Sequence, residues 1–356
     1  MVCYEEKRLS PLAPATAAFA ASLLLTGIVR RFAVAHALLD VPNERSSHTA
    51  PTPRGGGLAL VAVVLGGVAV LGLAGMLPSR TSIGILGGGI LIALIGWLDD
   101  RHSVPVLTRL SAHLAAALWA LWWLGGLPTL VVGDHAVVLG AFGTALAAGA
   151  IMWAINTTNF MDGIDGLAGG ETATVALTAA LLLARTDPAL AATAAITGGA
   201  ALGFLPWNWR PARIFMGDIG SGFLGFMLAV LAVATERAGA LPALVWLLLY
   251  AVFAVDATVT LARRIWRGER WYAAHRSHAY QRAVQAGWSH ARVTLIVLLL
   301  NVGLGLLAWR VAGRPALLGA GLVVAGVVCG LAYALVERLR PLPPGRGGVS
   351  VDNRTR

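Results

Sequence analysis

The chain has 356 residues, of which 57% are hydrophobic and only 12% charged, with a mean hydropathy of +0.74. A soluble domain carries about 25% charged residues, so the composition excludes an ordinary water-soluble fold. A net charge of +10 is the usual mark of a nucleic-acid binder, but here the excess arginine lies between apolar runs, where it orients a membrane protein and implies no nucleic-acid partner.

Apolar runs recur along the chain at 11–30, 56–77, 82–98, 109–127, 139–157, 167–184, 189–206, 219–235, 241–262, 291–312 and 315–337. Each is close to the ~20 residues that a helix needs to cross a ~30 Å hydrocarbon core. They predict an all-α, polytopic integral membrane protein with about 11 transmembrane helices, forming a single transmembrane domain over 1–356. The first run is followed by Arg30 and Arg31 without a small-residue cleavage site, so it reads as a retained span and not a signal peptide. Between the fourth and fifth runs, residues 128–138 alternate around Gly133-Asp134 and predict a short hairpin outside the membrane. The Pro/Gly-rich tail 341–356 predicts disorder. Cys3 and Cys329 lie far apart and suggest neither a disulfide framework nor a metal site.

With eleven spans the termini fall on opposite sides. The loops after the odd-numbered spans, together with the C-terminus, then hold most of the 27 basic residues. The positive-inside rule places that side in the cytoplasm and the N-terminus outside. The same side carries nearly every acidic, Asn and His cluster, in five segments.

Residues 40–57 form an irregular loop in which Arg45, His48 and Arg54 are anion-binding candidates, and Gly55-Gly56-Gly57 would let backbone N–H groups approach a phosphate. Asp99 and Asp100 end the third span, where adjacent carboxylates repel unless a cation offsets them. In NTTNFMDGIDGLAGG, the pairs Asn156/Asn159 and Asp162/Asp165 are each spaced three apart, and suit a divalent ion and a polar ligand. Asp218, in FMGDIGS, is either a Mg²⁺ ligand or the N-cap of the eighth span; Phe215 and Asn208 are candidates to stack on and hydrogen-bond a base, or Phe215 is an interfacial aromatic like Trp207 and Trp209. The last loop holds His275, Arg276, His278 and Arg282, a phosphate-binding set and not a zinc site. Asp256, seven residues before Arg263 on one helical face, is either functional or paired with that arginine.

Taken together, NTTNFMDGIDGLA, the later FMGDIGS, the Asp99-Asp100 pair and the HRSHAYQ loop resemble the polyprenyl-phosphate N-acetylhexosamine-1-phosphate transferases of glycosyltransferase family 4. The resemblance implies transfer of a sugar-1-phosphate from a UDP-sugar to undecaprenyl (polyprenyl) phosphate in the bacterial inner membrane. It implies Mg²⁺ dependence, with Mn²⁺ as a substitute, and release of UMP. By the same resemblance Asp218 matches the metal ligand and Asn159 a further metal contact. Phe215 matches the aromatic that stacks on uracil, with Asn208 beside it and Asn156 among the substrate contacts. Asp162 and Asp165 match nucleoside- and sugar-side catalytic residues, and Asp99 and Asp100 the acidic pair near the lipid phosphate. His275, Arg276 and His278 match the loop that receives the diphosphate and sugar. Ala50 and Pro51 precede Thr52-Pro53 where the peptidoglycan enzyme has a nearby lysine, and HRSHAYQ replaces its run of three histidines. That loop resembles the branch that initiates O-antigen or capsule, whose members use UDP-GlcNAc or a 6-deoxy relative. Phospho-N-acetylmuramoyl-pentapeptide transferase is the alternative within the family, and a lipid-linked sugar flippase is the alternative of another class. A homodimer is compatible with the sequence.

Overall fold

The computed structural model describes residues 10–40, 51–269 and 275–342. Along them run α1 (Leu12–Ala35), α2 (Gly57–Leu73), α3 (Ser79–Arg101), α4 (Val106–Leu124), α5 (Gly140–Met161), α6 (Leu167–Leu183), α7 (Pro188–Asn208), α8 (Asp218–Arg237), α9 (Ala243–Leu249), α10 (Ala251–Trp266), α11 (Ala279–Gln285), α12 (His290–Ala312) and α13 (Leu318–Leu339). Two short antiparallel ladders complete the described chain. One pairs β1 (Leu39–Asp40) with β2 (Thr52–Pro53), and the other pairs β3 (Thr129–Val132) with β4 (His135–Val138) around Gly133-Asp134.

The protein is a multi-pass membrane protein. Each apolar run predicted from sequence contains a helix. Among the described residues, six helical segments are long and apolar enough to cross a membrane: α1, α3, α7, α8, α12 and Pro315–Leu339, which includes α13. A seventh appears when α9 and α10 are taken together. Of the others, α2 and α6 are 17 residues long, while polar residues at one end dilute α4 (Arg109, His113) and α5 (Asn156, Asn159). The ninth predicted run, 241–262, is not one straight helix. It bends by 79° between α9 and α10. No Pro or Gly marks the break. Instead the Tyr250 hydroxyl meets Thr158 Oγ1 of α5 at 2.7 Å, which anchors the corner.

α8 is the hub, packed by α3 and α5, while α7 is sandwiched between α1 and α6. Small residues permit this closeness, as in many membrane bundles. A Cβ on Gly96 of α3 would lie 2.6 Å from the Asp218 carbonyl oxygen, so the two helices touch backbone to backbone there. Apolar side chains such as Leu24 and Ile28 of α1 and Leu331 and Leu335 of α13 are left on the outside, as a lipid-facing surface requires. Inside, a polar clamp holds α6 to α12: Asn301 donates to Glu171 Oε2 at 2.6 Å and to Thr174 Oγ1 at 3.0 Å. At the hairpin end, Glu236 accepts from the Val131 N–H at 2.7 Å and the Ala243 N–H at 2.6 Å, tying β3 to the start of α9.

Gly96→Val should force α3 and α8 apart and cost about 1–3 kcal/mol of stability, read as a lower unfolding temperature in detergent. Gly66→Val, at a position with open space around it, should leave the melting curve in place.

Candidate functional site

Three helix ends meet on one face of the bundle. α3 finishes in Asp99 and Asp100, α8 starts at Asp218, and α5 finishes just before Asp162. Asp100 reaches the N-terminus of α8, accepting the Asp218 N–H at 2.8 Å and the Ile219 N–H at 3.2 Å. The capping role read for Asp218 therefore belongs to Asp100, since the residue before α8 is a glycine with no side chain to offer. Gly217 sits at φ +77, and a Cβ there would lie 2.5 Å from Asp100 Oδ2. Only glycine allows both this turn and this approach.

Two arginines bridge the acids. Arg54 Nη2 lies 2.7 Å from Asp100 Oδ1 and 3.5 Å from Asp218 Oδ1. Arg109, at the start of α4, donates to Asp99 Oδ2 at 2.5 Å and stands 3.9 Å from Asp218 Oδ2. Asp99 also accepts the Val104 N–H at 2.8 Å. Asn159 of α5 donates its amide to Ser221 Oγ at 3.2 Å, which leaves its carbonyl oxygen as the ligand atom it can offer. Asn156 donates to the Met152 carbonyl at 2.7 Å and lies 3.4 Å from His113 Nδ1. Burial, and then the Asp218 carboxylate, push the Asp162 carboxyl well above its ordinary range. Three carboxylates (99, 100 and 218) thus share two guanidiniums, with the Asp162 carboxyl beside them, and acids outnumber bases in the cluster.

The surrounding loops are stitched together by backbone. Phe215 donates its N–H to the Pro53 carbonyl at 2.8 Å, and its carbonyl accepts the Gly56 N–H at 2.9 Å. The Gly57 N–H goes to the Met216 carbonyl at 2.9 Å. The glycine run expected to cradle a phosphate therefore spends these two N–H groups on the segment before Asp218. Asn208, 3% exposed, accepts the Gly166 N–H at 2.9 Å and donates to the Ile214 carbonyl at 3.1 Å. It joins the two loops from a buried position. Asp165 accepts the Ala212 N–H at 3.2 Å and lies 3.3 Å from His290 Nδ1, so it too ties loop to helix.

The histidine segment packs at the end of α5, near Phe160. Asp256 of α10 accepts the Ala279 and Tyr280 N–H groups at 2.8 and 3.1 Å and lies 3.4 Å from His278 Nδ1. Its predicted pairing with Arg263 is not formed; Arg263 instead makes a bidentate contact with Glu337 at 2.6 and 2.9 Å. Tyr280 donates to the Phe160 carbonyl at 2.9 Å. The rings of His275 and His278 stand 4.8 Å apart, and 6.5 and 6.2 Å from Phe160 at the end of α5. Burial, then His278 and Arg264, pull the His275 imidazole down to about 3, so it is neutral at pH 7. Arg276 carries the fixed positive charge beside it. His48 lies outside the described residues.

A family model described as glycosyl transferase family 4 matches residues 82–236. Decaprenyl-phosphate N-acetylglucosaminephosphotransferase of Mycobacterium leprae is 33% identical over an alignment covering 87% of this chain and 86% of that protein. The chain belongs to glycosyl transferase family 4. A probable undecaprenyl-phosphate N-acetylglucosaminyl 1-phosphate transferase of Bacillus subtilis is 27% identical, with 78% of each chain covered. A phospho-N-acetylmuramoyl-pentapeptide-transferase of Trichormus variabilis is 31% identical, with 60% of each covered. As a family 4 member the protein is a membrane transferase that passes a sugar-1-phosphate to a polyprenyl phosphate.

In family 4 terms, the matched region holds Asp99, Asp100, the α5 motif and Asp218, and leaves Arg54 and the histidine segment outside it. A cavity of about 240 Å³ opens beside the cluster. Asp99, Arg109, His113, Asn156, Asn159 and Asp218 line its polar end, and apolar residues such as Ile92, Leu110, Ile155 and Leu261 line the rest. Arg109 and His113 were missed from sequence, although an Arg and a His four apart on one helical face beside the acidic pair are a readable signal. Among the described residues no three His, Cys, Asp or Glu side chains form a ready metal cage. Mg²⁺ does not need one, since it keeps waters and takes one or two carboxylates plus phosphate oxygens. The oxygen donors and the unbalanced charge fit such an ion.

Asp100→Ala should cost about 1–2 kcal/mol through loss of the α8 cap, seen as a reduced unfolding temperature, whereas His113→Ala should melt like the parent. Equal stability of the Asp100 variant would show that the cap contributes nothing.

Proposed function

We propose that the protein transfers N-acetylglucosamine-1-phosphate, or the 1-phosphate of a 6-deoxy relative, from a UDP-sugar to undecaprenyl or a similar polyprenyl phosphate, starting a lipid-linked glycan such as O-antigen. The observation that carries this reading is the cavity with one polar end and long apolar walls. A phosphate at Arg109 and a prenyl chain along Ile92, Leu110, Ile155 and Leu261 match that polarity. The relatives' names supply the N-acetylglucosamine. The side rich in arginine faces the cytoplasm, where nucleotide sugars are made.

The chemistry asks for alignment and charge neutralisation more than for a protein nucleophile. An oxygen of the lipid phosphate attacks the sugar-bearing phosphorus. A new P–O–P bond forms, the bond to the bridging oxygen breaks, and UMP leaves with that oxygen. Bound Mg²⁺ would neutralise the diphosphate and the leaving UMP. Asp218 and the carbonyl of Asn159 would hold it. Arg109, itself fixed by Asp99, orients the lipid phosphate. Asp99 is already engaged by Arg109 and Val104, which suits an orienting role. A general base is not required, since the second phosphate pKa is about 6 and the nucleophile is mostly ionised at pH 7. His275, neutral, and Arg276 close on the donor from the far side of Phe160, the imidazole donating a hydrogen bond and the guanidinium its charge. Phe215 provides the ring for uracil, while Asn208 holds the loop that carries it.

The direct test is UMP release by the purified chain given Mg²⁺, undecaprenyl phosphate and a panel of UDP-sugars. Turnover with UDP-GlcNAc supports the proposal. Turnover only with UDP-MurNAc-pentapeptide would transfer it to the peptidoglycan branch, and binding without UMP release would make it a transporter. Asp218→Asn should lower turnover by about 10³-fold or more while the protein keeps its melting temperature. Arg109→Ala should raise the KM for polyprenyl phosphate about tenfold with little change in donor KM.

A further inference from the structure

α13 contributes nothing to the acid cluster, yet its end on the polar face is wired into the histidine segment. Arg282 of α11 is completely buried. Its Nη1 donates to Glu337 of α13 and, at 2.9 Å, to the Arg340 carbonyl. Its guanidinium also stands 5.0 Å over the Tyr333 ring. Arg263 of α10 takes the same Glu337 carboxylate in a bidentate contact, and the Leu342 N–H closes on it at 3.1 Å. One acid on α13 therefore holds α10 and α11 at once.

Two hydrogen-bonded routes run on from there. Arg340 donates to Gln285 Oε1 at 2.8 Å, and Gln285 donates to the Arg276 carbonyl at 3.1 Å. The Tyr333 hydroxyl lies 3.3 Å from Thr260 Oγ1, which donates to Asp256 at 3.1 Å, and Asp256 faces His278. Both routes end in the histidine segment, one at Arg276 and the other at His278. All of these groups lie beyond residues 82–236, the part that the family model matches.

We infer that α13, through Glu337, Arg340 and Tyr333, is a brace that sets where His275 and Arg276 stand relative to the acid cluster. Glu337 is a positioning residue, since it touches neither the cavity nor the acids. The kinetic part of this inference rests on the proposed transfer reaction; the geometric part does not. A half-buried charge cluster shared by three helices has one good arrangement, and loss of its acid strands the fully buried guanidinium of Arg282. A displaced loop then costs alignment of the donor diphosphate, to which transfer rates are steeply sensitive.

The test compares the intact chain with Glu337→Gln and with Gln285→Ala, the latter breaking the Arg340–Gln285–Arg276 route without stranding a buried charge. UMP-release kinetics should show the KM for UDP-GlcNAc raised about three- to tenfold in Gln285→Ala and about tenfold or more in Glu337→Gln. The KM for undecaprenyl phosphate should stay within about twofold, well below a tenfold step of affinity. Glu337→Asp should recover part of the loss. Diethyl pyrocarbonate modification of His275, followed by mass spectrometry, should run several times faster in both variants than in the parent. A merely structural role would lower the active fraction and leave both KM values in place, and that result overturns the inference. So does an unchanged His275 modification rate. If the parent chain releases no UMP, the transferase reading fails, and the modification rates still decide whether the brace exists.

Discussion

Too many negative charges stand where α3, α5 and α8 end, and the structure is arranged around relieving them. Asp99, Asp100 and Asp218 share Arg54 and Arg109, and burial beside Asp218 holds the Asp162 carboxyl in its neutral form. The backbone relieves part of the remainder, because the positive end of α8 points at Asp100. This contact fixes the α3–α8 crossing, requires glycine at Gly217 and Gly96, and brings Asp218 to the mouth of the cavity. What the arginines and the helix leave unrelieved is the charge that the proposed divalent cation would balance.

Two kinds of polar residue follow from this arrangement. One kind makes the frame: Asp100 caps α8, Asn208 ties the α5–α6 loop to the segment before Phe215, Asp165 holds Ala212 and His290, and Asp256 starts α11. Their side chains are engaged within the protein. The other kind keeps a face toward the cavity: Asp99 with Arg109, Asn156 beside His113, Asn159 and Asp218. Asp100 and Asp165, which family resemblance groups as catalytic, thus also support the residues of the second kind.

Much of this was legible in the sequence. Helix positions followed from apolar runs, and the hairpin from Gly133-Asp134. The gathering of acids and histidines on one face followed from their recurring at alternate ends of spans. Partner choice was not legible. Asp256 and Arg263 share a helical face, yet Asp256 turns to the N-terminus of α11 and Arg263 to Glu337 on α13, contacts over 20 and 70 residues away that no local period encodes. The bend at Tyr250 lacked a Pro or Gly to announce it, because a tertiary hydrogen bond to Thr158 sets the corner. Arg109 read as one more topogenic arginine until α4 was seen to face α5 across the cavity. The glycine run at 55–57 read as a phosphate cradle because its use in backbone pairing depends on a segment some 160 residues later.

The central claim is that the acid cluster is a cation site built on Asp218. Titration of the purified chain with Mn²⁺, followed by electron paramagnetic resonance, tests it without any turnover. The account predicts a single saturable site in the parent protein, competed by Mg²⁺ and lost in Asp218→Asn at unchanged fold. Saturable Mn²⁺ binding that persists in the Asp218 variant would contradict it.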